Sequence, residues 1–233
     1  MAREGIEIIT WSAIGGILPA LLWLWFWLKE DAKRPEPKKL IFATFMMGAL
    51  AVPVALFFEK IAQGLVGQSF LLIVLWAAIE ELLKYGGAYF IAFRNWCIDG
   101  TKCLDEPLDP MIYLITAALG FSALENTLFL INPLTHGELL AGFVTGNLRF
   151  VGATVLHVVA SASVGIAMSL SFYKIGAIKR AYLWGGIFTA IALHALFNLS
   201  ILINKGESIF VVFGFLWVVA FLLLLVFEKI KRI

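Results

Sequence analysis

The stretch WAAIEELLKYGGAYF, residues Trp76 to Phe90, places two glutamates and a lysine inside an apolar segment. That segment, 66–93, is long enough to cross a membrane, whose hydrocarbon core takes about 20 apolar residues in a helix. An ionisable side chain at the bilayer centre costs about 2.5 to 3.5 kcal/mol on insertion scales, so such residues usually face the protein interior and mark a functional site. The charges of this helix are therefore expected to face a polar site inside a membrane bundle.

The composition assigns the whole chain to the membrane. Of its 233 residues, 61% are hydrophobic and 15% are charged, and the mean hydropathy is +0.93. Only helices and closed barrels satisfy the backbone in hydrocarbon, and the alternating strands of a barrel are absent from the sequence. The sequence therefore predicts an all-α polytopic bundle that forms one domain over residues 1–233. Seven membrane helices are predicted: 7–28, 40–58, 66–93, 110–131, 149–172, 181–203 and 209–227.

The basic residues predict the orientation of this bundle, because positively charged loops are retained in the cytoplasm. Most lysines and arginines lie in alternate connections, beginning with the one after the first helix, and at the C-terminus. This asymmetry predicts a multi-pass protein of the inner (cytoplasmic) cell membrane, with the N-terminus outside and the C-terminus in the cytoplasm. Since topology explains the basic residues, nucleic-acid binding has no support. Cys97 and Cys103 fall in a predicted cytoplasmic loop and are expected to be free thiols.

Three further predicted helices carry ionisable or amide side chains. The fourth helix carries Glu125 and Asn126, the fifth Arg149 and His157, and the sixth His194 and Asn198. Helices one, two and seven carry no ionisable residue in their central portions. The polar core is therefore expected in the helices that span residues 66–203.

Four of these groups lie at similar predicted depths in the membrane. At about 1.5 Å per residue, Glu80, Glu125, His157 and His194 lie roughly 9 to 15 Å from the predicted outer ends of their helices. They are expected to converge on one layer in the outer half of the membrane.

The residue types in this cluster are suited to catalysing hydrolysis. A glutamate and two histidines are suitable ligands for catalytic zinc, which keeps one position open for water. A carboxylate outside the ligand set can act as general base, and Glu80 and Glu81 are equally placed for this role beside Lys84. Asn198, one turn after His194, is a neutral donor suited to an oxyanion.

Plainer interpretations exist for each group. A glutamate and lysine four residues apart commonly stabilise a helix, and intramembrane histidines or asparagines can hydrogen bond across helices without catalysing a reaction. Arg149, at the predicted start of a helix, could simply extend to the interface.

Four motifs occur in order: EELLK (80–84), GFSALEN (120–126), RFVGATVLH (149–157) and HALFN (194–198). This set resembles the PrsW family of membrane proteases, which is related to the superfamily of CaaX prenyl proteases and bacterial Abi proteins. The superfamily pattern is EExxxR, FxxxH and HxxxN or HxxxD. Here Glu125 replaces the first histidine, Lys84 stands one residue before the arginine position, and His157 is added, which points to the PrsW branch.

The resemblance implies a membrane-embedded endopeptidase. Glu125, His157 and His194 are the expected zinc ligands, supported by Asn126 and Arg149. A mechanism that uses glutamate without zinc stays open. The implied partner, besides the lipid bilayer, is a single-pass membrane protein such as an anti-sigma factor.

Two other functions use the same residues. A proton-coupled transporter would use the acids and histidines as a relay. A scaffold would use them only to fix the packing of its helices.

Overall fold

The computed structural model describes residues 2–31, 34–93, 104–203 and 209–232. Helices are the regular structure in these ranges, and no strand occurs there, so the predicted all-α class is confirmed. Cys97 and Cys103 lie outside the described residues. The helices are α1 (Ala2–Glu30), α2 (Lys38–Val66), α3 (Phe70–Ala92), α4 (Asp109–Thr135), α5 (Leu139–Leu148), α6 (Thr154–Leu170), α7 (Gly176–Ile203) and α8 (Ile209–Ile230), and a π-helical turn, Arg149–Ala153, joins α5 to α6.

Seven stretches of helix in the described ranges traverse the bundle. Six are long and apolar enough to cross a membrane: α1, α2, α4, α5 continued through α6, α7 and α8. The seventh is α3, whose 23 residues carry the three buried charges. Lys231 contacts Glu30 at 3.1 Å, and Arg34 contacts Glu106 at 3.5 Å. The connections α1–α2 and α3–α4 and the end of α8 therefore share one end of the bundle, so α3 must return across it.

The connection between α2 and α3 follows from its sequence. Gly67 has φ +61°, a conformation that favours glycine, and its N–H bonds the Gln63 carbonyl at 3.0 Å to end α2. Ser69 then caps α3 by accepting the N–H of Leu72 at 3.3 Å.

Helix α4 is the centre of the bundle and is buried over most of its length. It packs against α1, α2, α3 and α6. Glycines allow the closest approach to α2, because a Cβ on Gly120 would overlap the Phe45 carbonyl, and one on Gly48 would overlap that of Ala117. Small residues serve this purpose in membrane helices, where close packing contributes to association.

The fifth membrane helix begins ten residues earlier than predicted, at Leu139 instead of residue 149. The prediction was wrong because it treated the charge of Arg149 as a helix end, whereas this side chain is paired with Glu125 inside the bundle. The π-helical turn lies directly before the turn that carries His157. Turns of this kind frequently occur at functional sites.

Candidate active site

Helix α3 places its three charged side chains inside the bundle. Lys84 is fully buried, and Glu81 and Glu80 are 2% and 7% exposed. The Lys84 ammonium donates to Oε1 of Glu81 at 2.6 Å and to Nδ1 of His157 at 2.8 Å. It therefore neutralises a buried carboxylate and joins α3 to α6.

Both carboxylate oxygens of Glu81 are engaged by neighbouring side chains. Besides Lys84, its Oε1 lies 2.7 Å from Nδ1 of His194, and its Oε2 accepts the hydroxyl of Ser161 at 3.1 Å. A carboxylate beside Nδ1 fixes the N–H on that nitrogen, which leaves Nε2 of the neutral imidazole as an acceptor. Glu81 thus orients His194 and does not face open space.

His157 is held in a similar way by Glu125. Nε2 of His157 lies 2.9 Å from Oε2 of Glu125, and the same oxygen accepts a hydrogen bond from the Arg149 guanidinium. The Arg149 guanidinium also lies over the Phe129 ring, 3.8 Å from its centroid. Arg149 is consequently anchored in the bundle at Glu125.

Asn126 extends this network between α4 and α6. Its side-chain carbonyl accepts from Nε of Arg149, and its amide donates to Ser122 at 3.1 Å and to Thr154 at 3.0 Å. Both hydroxyls are fully buried. Asn126 therefore fixes the helix face that presents Glu125.

Glu80 differs from the other two carboxylates. Its Oε2 is buried and, among the described residues, has no hydrogen-bond partner. The same atom lies 3.7 Å from Nζ of Lys84 and 3.9 Å from both Nδ1 of His157 and Nε2 of His194, the ring nitrogens that Glu125 and Glu81 do not hold. Glu80, His157 and His194 each offer a ligand atom within 4.8 Å of the others, which is close enough to share one metal ion.

A cavity of about 770 Å³ adjoins this group. Its polar wall includes Asn198, one turn beyond His194, and most of its other lining residues are apolar. Asn132 and Leu202, which also line it, lie near the ends of α4 and α7 that are opposite the basic connections. The cavity therefore extends from the buried charges towards that end of the bundle.

The helices thus bring all nine predicted site residues into one network or its cavity. The possible metal site differs from the expected one in its carboxylate. Glu80, and not Glu125, is grouped with both histidines. Glu125 bonds the opposite nitrogen of His157. The catalytic and metal-binding roles of these residues stay predictions.

Sequence reasoning missed two residues. Glu59 lines the cavity from α2, and its backbone carbonyl accepts the indole N–H of Trp76 at 3.2 Å. The predicted helix ended at residue 58, directly before the charged residues Glu59 and Lys60, whereas α2 continues to Val66. Ser161 follows His157 by four residues and so shares its helix face, which was the available signal.

The sequence matches the model of a protein family described as PrsW family intramembrane metalloprotease over residues 36–226. It is similar to curated proteins named Protease PrsW. The one from Geobacillus kaustophilus is 26% identical over 82% of this chain and 79% of its own length. Those from Halalkalibacterium halodurans and Oceanobacillus iheyensis are 26% and 27% identical over 88% of this chain and 91% and 90% of their own. No solved structure matches the chain significantly. The chain therefore belongs to the PrsW family and is a multi-pass membrane protease.

Proposed function

We propose that this chain is an endopeptidase that cleaves a membrane protein at the polar wall of its cavity, with Glu80 at the reacting centre. The observation that carries this proposal is Oε2 of Glu80, which accepts no hydrogen bond from the described residues and faces the nitrogen of each histidine that Glu125 and Glu81 do not hold. Glu81 and Glu125 are engaged in holding those histidines, and Glu59, which also lines the cavity, is not grouped with them. Glu80 is therefore the group left available to act on water or to bind a metal.

Zinc is the proposed cofactor, and the residues present fit it. Two histidines and one carboxylate form a familiar catalytic ligand set. Glu81 and Glu125 hold the second nitrogen of each ring, as carboxylates do behind metal-binding histidines. Zinc in such a site polarises a carbonyl and activates water. Binding there requires Lys84 to leave Nδ1 of His157, while Glu81 remains its partner at 2.6 Å.

The chain's own residues supply the rest of the chemistry. Without a metal, Glu80 accepts a proton from the attacking water, and Nε2 of His194 is an acceptor beside it. If Glu80 held zinc, Glu59 or Glu125, which line the same cavity, would take over proton transfer. In both cases the Asn198 amide is the proposed donor to the oxyanion, and Lys84 holds the Glu81 carboxylate next to His194.

The proposed substrate is a single-pass membrane protein such as an anti-sigma factor. Apolar side chains, among them Leu56, Ile73 and Leu128, line much of the cavity and suit an apolar segment of such a protein. If the basic connections lie in the cytoplasm of a bacterial inner membrane, the cavity reaches towards the outer face. Cleavage is then expected near the extracytoplasmic end of the substrate's membrane segment.

Cleavage of a purified single-pass protein in detergent tests this function. The wild type and a Glu138→Gln variant, whose exposed side chain lies away from the cavity, should cleave alike, whereas His194→Gln should be inactive. Equal cleavage by the folded His194→Gln variant would contradict the proposal. The alternative, a proton-coupled transporter, is not favoured by the named relatives and would instead show His194-dependent flux in proteoliposomes.

A further inference from the structure

A second group of carboxylates lies at the end of the bundle that carries the basic connections. Glu36 precedes α2, Asp105 precedes α4, and Asp109 is the first residue of α4. One carboxylate oxygen of each lies within 4.8 Å of the others. Asp109 precedes Glu125 on α4 by roughly 24 Å along the helix axis at 1.5 Å per residue. The group is therefore separate from the candidate active site and does not depend on the proposed function.

Asp109 is the most deeply buried member of this group, at 1% exposure. Its Oδ2 accepts the backbone N–H groups of Asp105 at 2.7 Å and Glu106 at 2.9 Å. Its Oδ1 is buried and has no hydrogen-bond partner among the described residues. Leaving a buried acceptor unsatisfied costs about 1 to 3 kcal/mol, and more for a charged group. Either a bound ligand or a proton shared with the neighbouring Glu36 carboxylate can neutralise this group.

Basic side chains of the described residues do not supply that neutralisation. Arg34 pairs with Glu106, and Lys231 pairs with Glu30 and Glu228. The hydroxyl of Tyr113 donates to Oε2 of Glu36, which satisfies one oxygen without adding positive charge.

The neighbourhood of the group is also rich in negative charge. Burial and the charges of Glu106 and Asp109 raise the pKa of Asp31 to about 7, against the smaller effect of Lys231. Carboxylates in such surroundings are stable when a cation or a proton is shared among them.

We propose that Glu36, Asp105 and Asp109 bind one divalent cation of the oxygen-preferring kind, Ca²⁺ or Mg²⁺. The three donors are all carboxylate oxygens, which these hard cations prefer, in contrast to the histidine-containing group of the active site. Asp105 is exposed and lines a cavity of about 330 Å³ at this end, so an ion can reach the site from water. The bound cation ties the α1–α2 connection to the start of α4 and stabilises this end of the bundle.

The test uses the full chain in detergent, stripped with a chelator and titrated separately with Ca²⁺ and Mg²⁺. Binding is measured by calorimetry, and stability by the thermal unfolding midpoint. The wild type should bind one ion saturably and unfold at a higher temperature when it is bound. Asp105→Asn, an exposed change that spares the Asp109 hydrogen bonds, should weaken binding by about tenfold or more. Glu106→Gln is the matched control, because it changes the adjacent carboxylate outside the group, and it should bind within about twofold of the wild type.

Two results would overturn the proposal. The first is the absence of saturable binding of either ion by the wild type, which would indicate that the carboxylates share a proton. The second is equal affinity of Asp105→Asn, Glu106→Gln and the wild type. Asp109→Asn should also lose binding, but the decision rests on Asp105→Asn because its side chain is exposed. The two titrations identify which cation the site prefers.

Discussion

Oε2 of Glu80 lies 3.9 Å from Nε2 of His194, while Glu81, the next residue on the same helix, holds the opposite nitrogen of that ring at 2.7 Å. The adjacent glutamates therefore have different surroundings. Glu80 lines the cavity, and its Oε2 accepts no hydrogen bond from the described residues, with Lys84 3.7 Å away. Glu81 is enclosed by Lys84, Ser161 and His194. This difference separates the expected effects of changing each residue.

Glu80→Gln should lose activity but keep its fold. The amide retains the size of the side chain but is neither a base nor a good metal ligand, and losing a general base typically costs about 10² to 10⁴ in rate. The measurement is kcat on a single-pass membrane substrate, with the thermal unfolding midpoint as the check on folding. A folded Glu80→Gln protein with wild-type kcat would exclude Glu80 from the reacting centre.

Glu81→Gln should be less stable than Glu80→Gln. It leaves the fully buried Lys84 without the carboxylate at 2.6 Å, and breaking a buried ion pair typically costs about 3 to 5 kcal/mol. Adding Lys84→Met should restore part of the lost stability, because the unpaired charge is then removed. Thermal unfolding of the two single variants and the double variant measures this coupling. Additive losses in the double variant would contradict the inferred pairing.

Metal content distinguishes the two possible carboxylate ligands. Glu80→Gln and His194→Gln should lose zinc from a chain that binds one ion, whereas Glu125→Gln should weaken binding by about 10 to 100-fold, as expected for a residue that orients a ligand. Metal analysis after dialysis against graded zinc concentrations measures this. If Glu125→Gln loses zinc as completely as His194→Gln while Glu80→Gln retains it, the ligand set is Glu125, His157 and His194. If the active wild type binds no metal and chelators have no effect, the glutamate mechanism is the one supported.

The packing of α4 against α2 can be tested with two glycines. Gly120→Ala should destabilise the protein by about 1 to 3 kcal/mol or more, because the new methyl group overlaps the Phe45 carbonyl. Gly185→Ala on α7 is the matched control, because its new methyl group would meet no atom within 4 Å, and it should leave stability unchanged or raise it. Thermal unfolding in detergent compares them. Similar unfolding midpoints for both variants would contradict the close contact of α2 and α4.

Much of the fold was predictable because hydrocarbon imposes simple requirements. Seven apolar stretches of sufficient length implied seven traverses, including the one that carries Glu80, Glu81 and Lys84. Counting residues from the predicted helix ends also placed Glu125, His157 and His194 in one layer. The three residues do meet, although the count for His157 began at residue 149 and the helix begins at Leu139. The start of the fifth helix was mispredicted, because a paired charge can lie within a helix and sequence alone does not show the pairing.

The assignment of partners within the site was beyond the sequence. Glu80 and Glu81 are four and three residues from Lys84, so spacing places both near it and does not say which faces the cavity. That choice depends on the rotation of α3 against α6 and α7, which tertiary packing sets. The packing of α4 against α6 decides that Glu125 meets Nε2 of His157, while the rotation of α3 places Glu80 near Nδ1.

Hydrolysis in ¹⁸O-labelled water tests the central claim most directly. Purified chain is incubated with a single-pass membrane protein, and mass spectrometry identifies the new termini of the fragments. We predict one cut in or beside the apolar segment, with one ¹⁸O atom in the new C-terminal carboxyl group, and no such product from Glu80→Gln. An intact substrate after incubation with the wild type, or the same labelled product from folded Glu80→Gln, would contradict it.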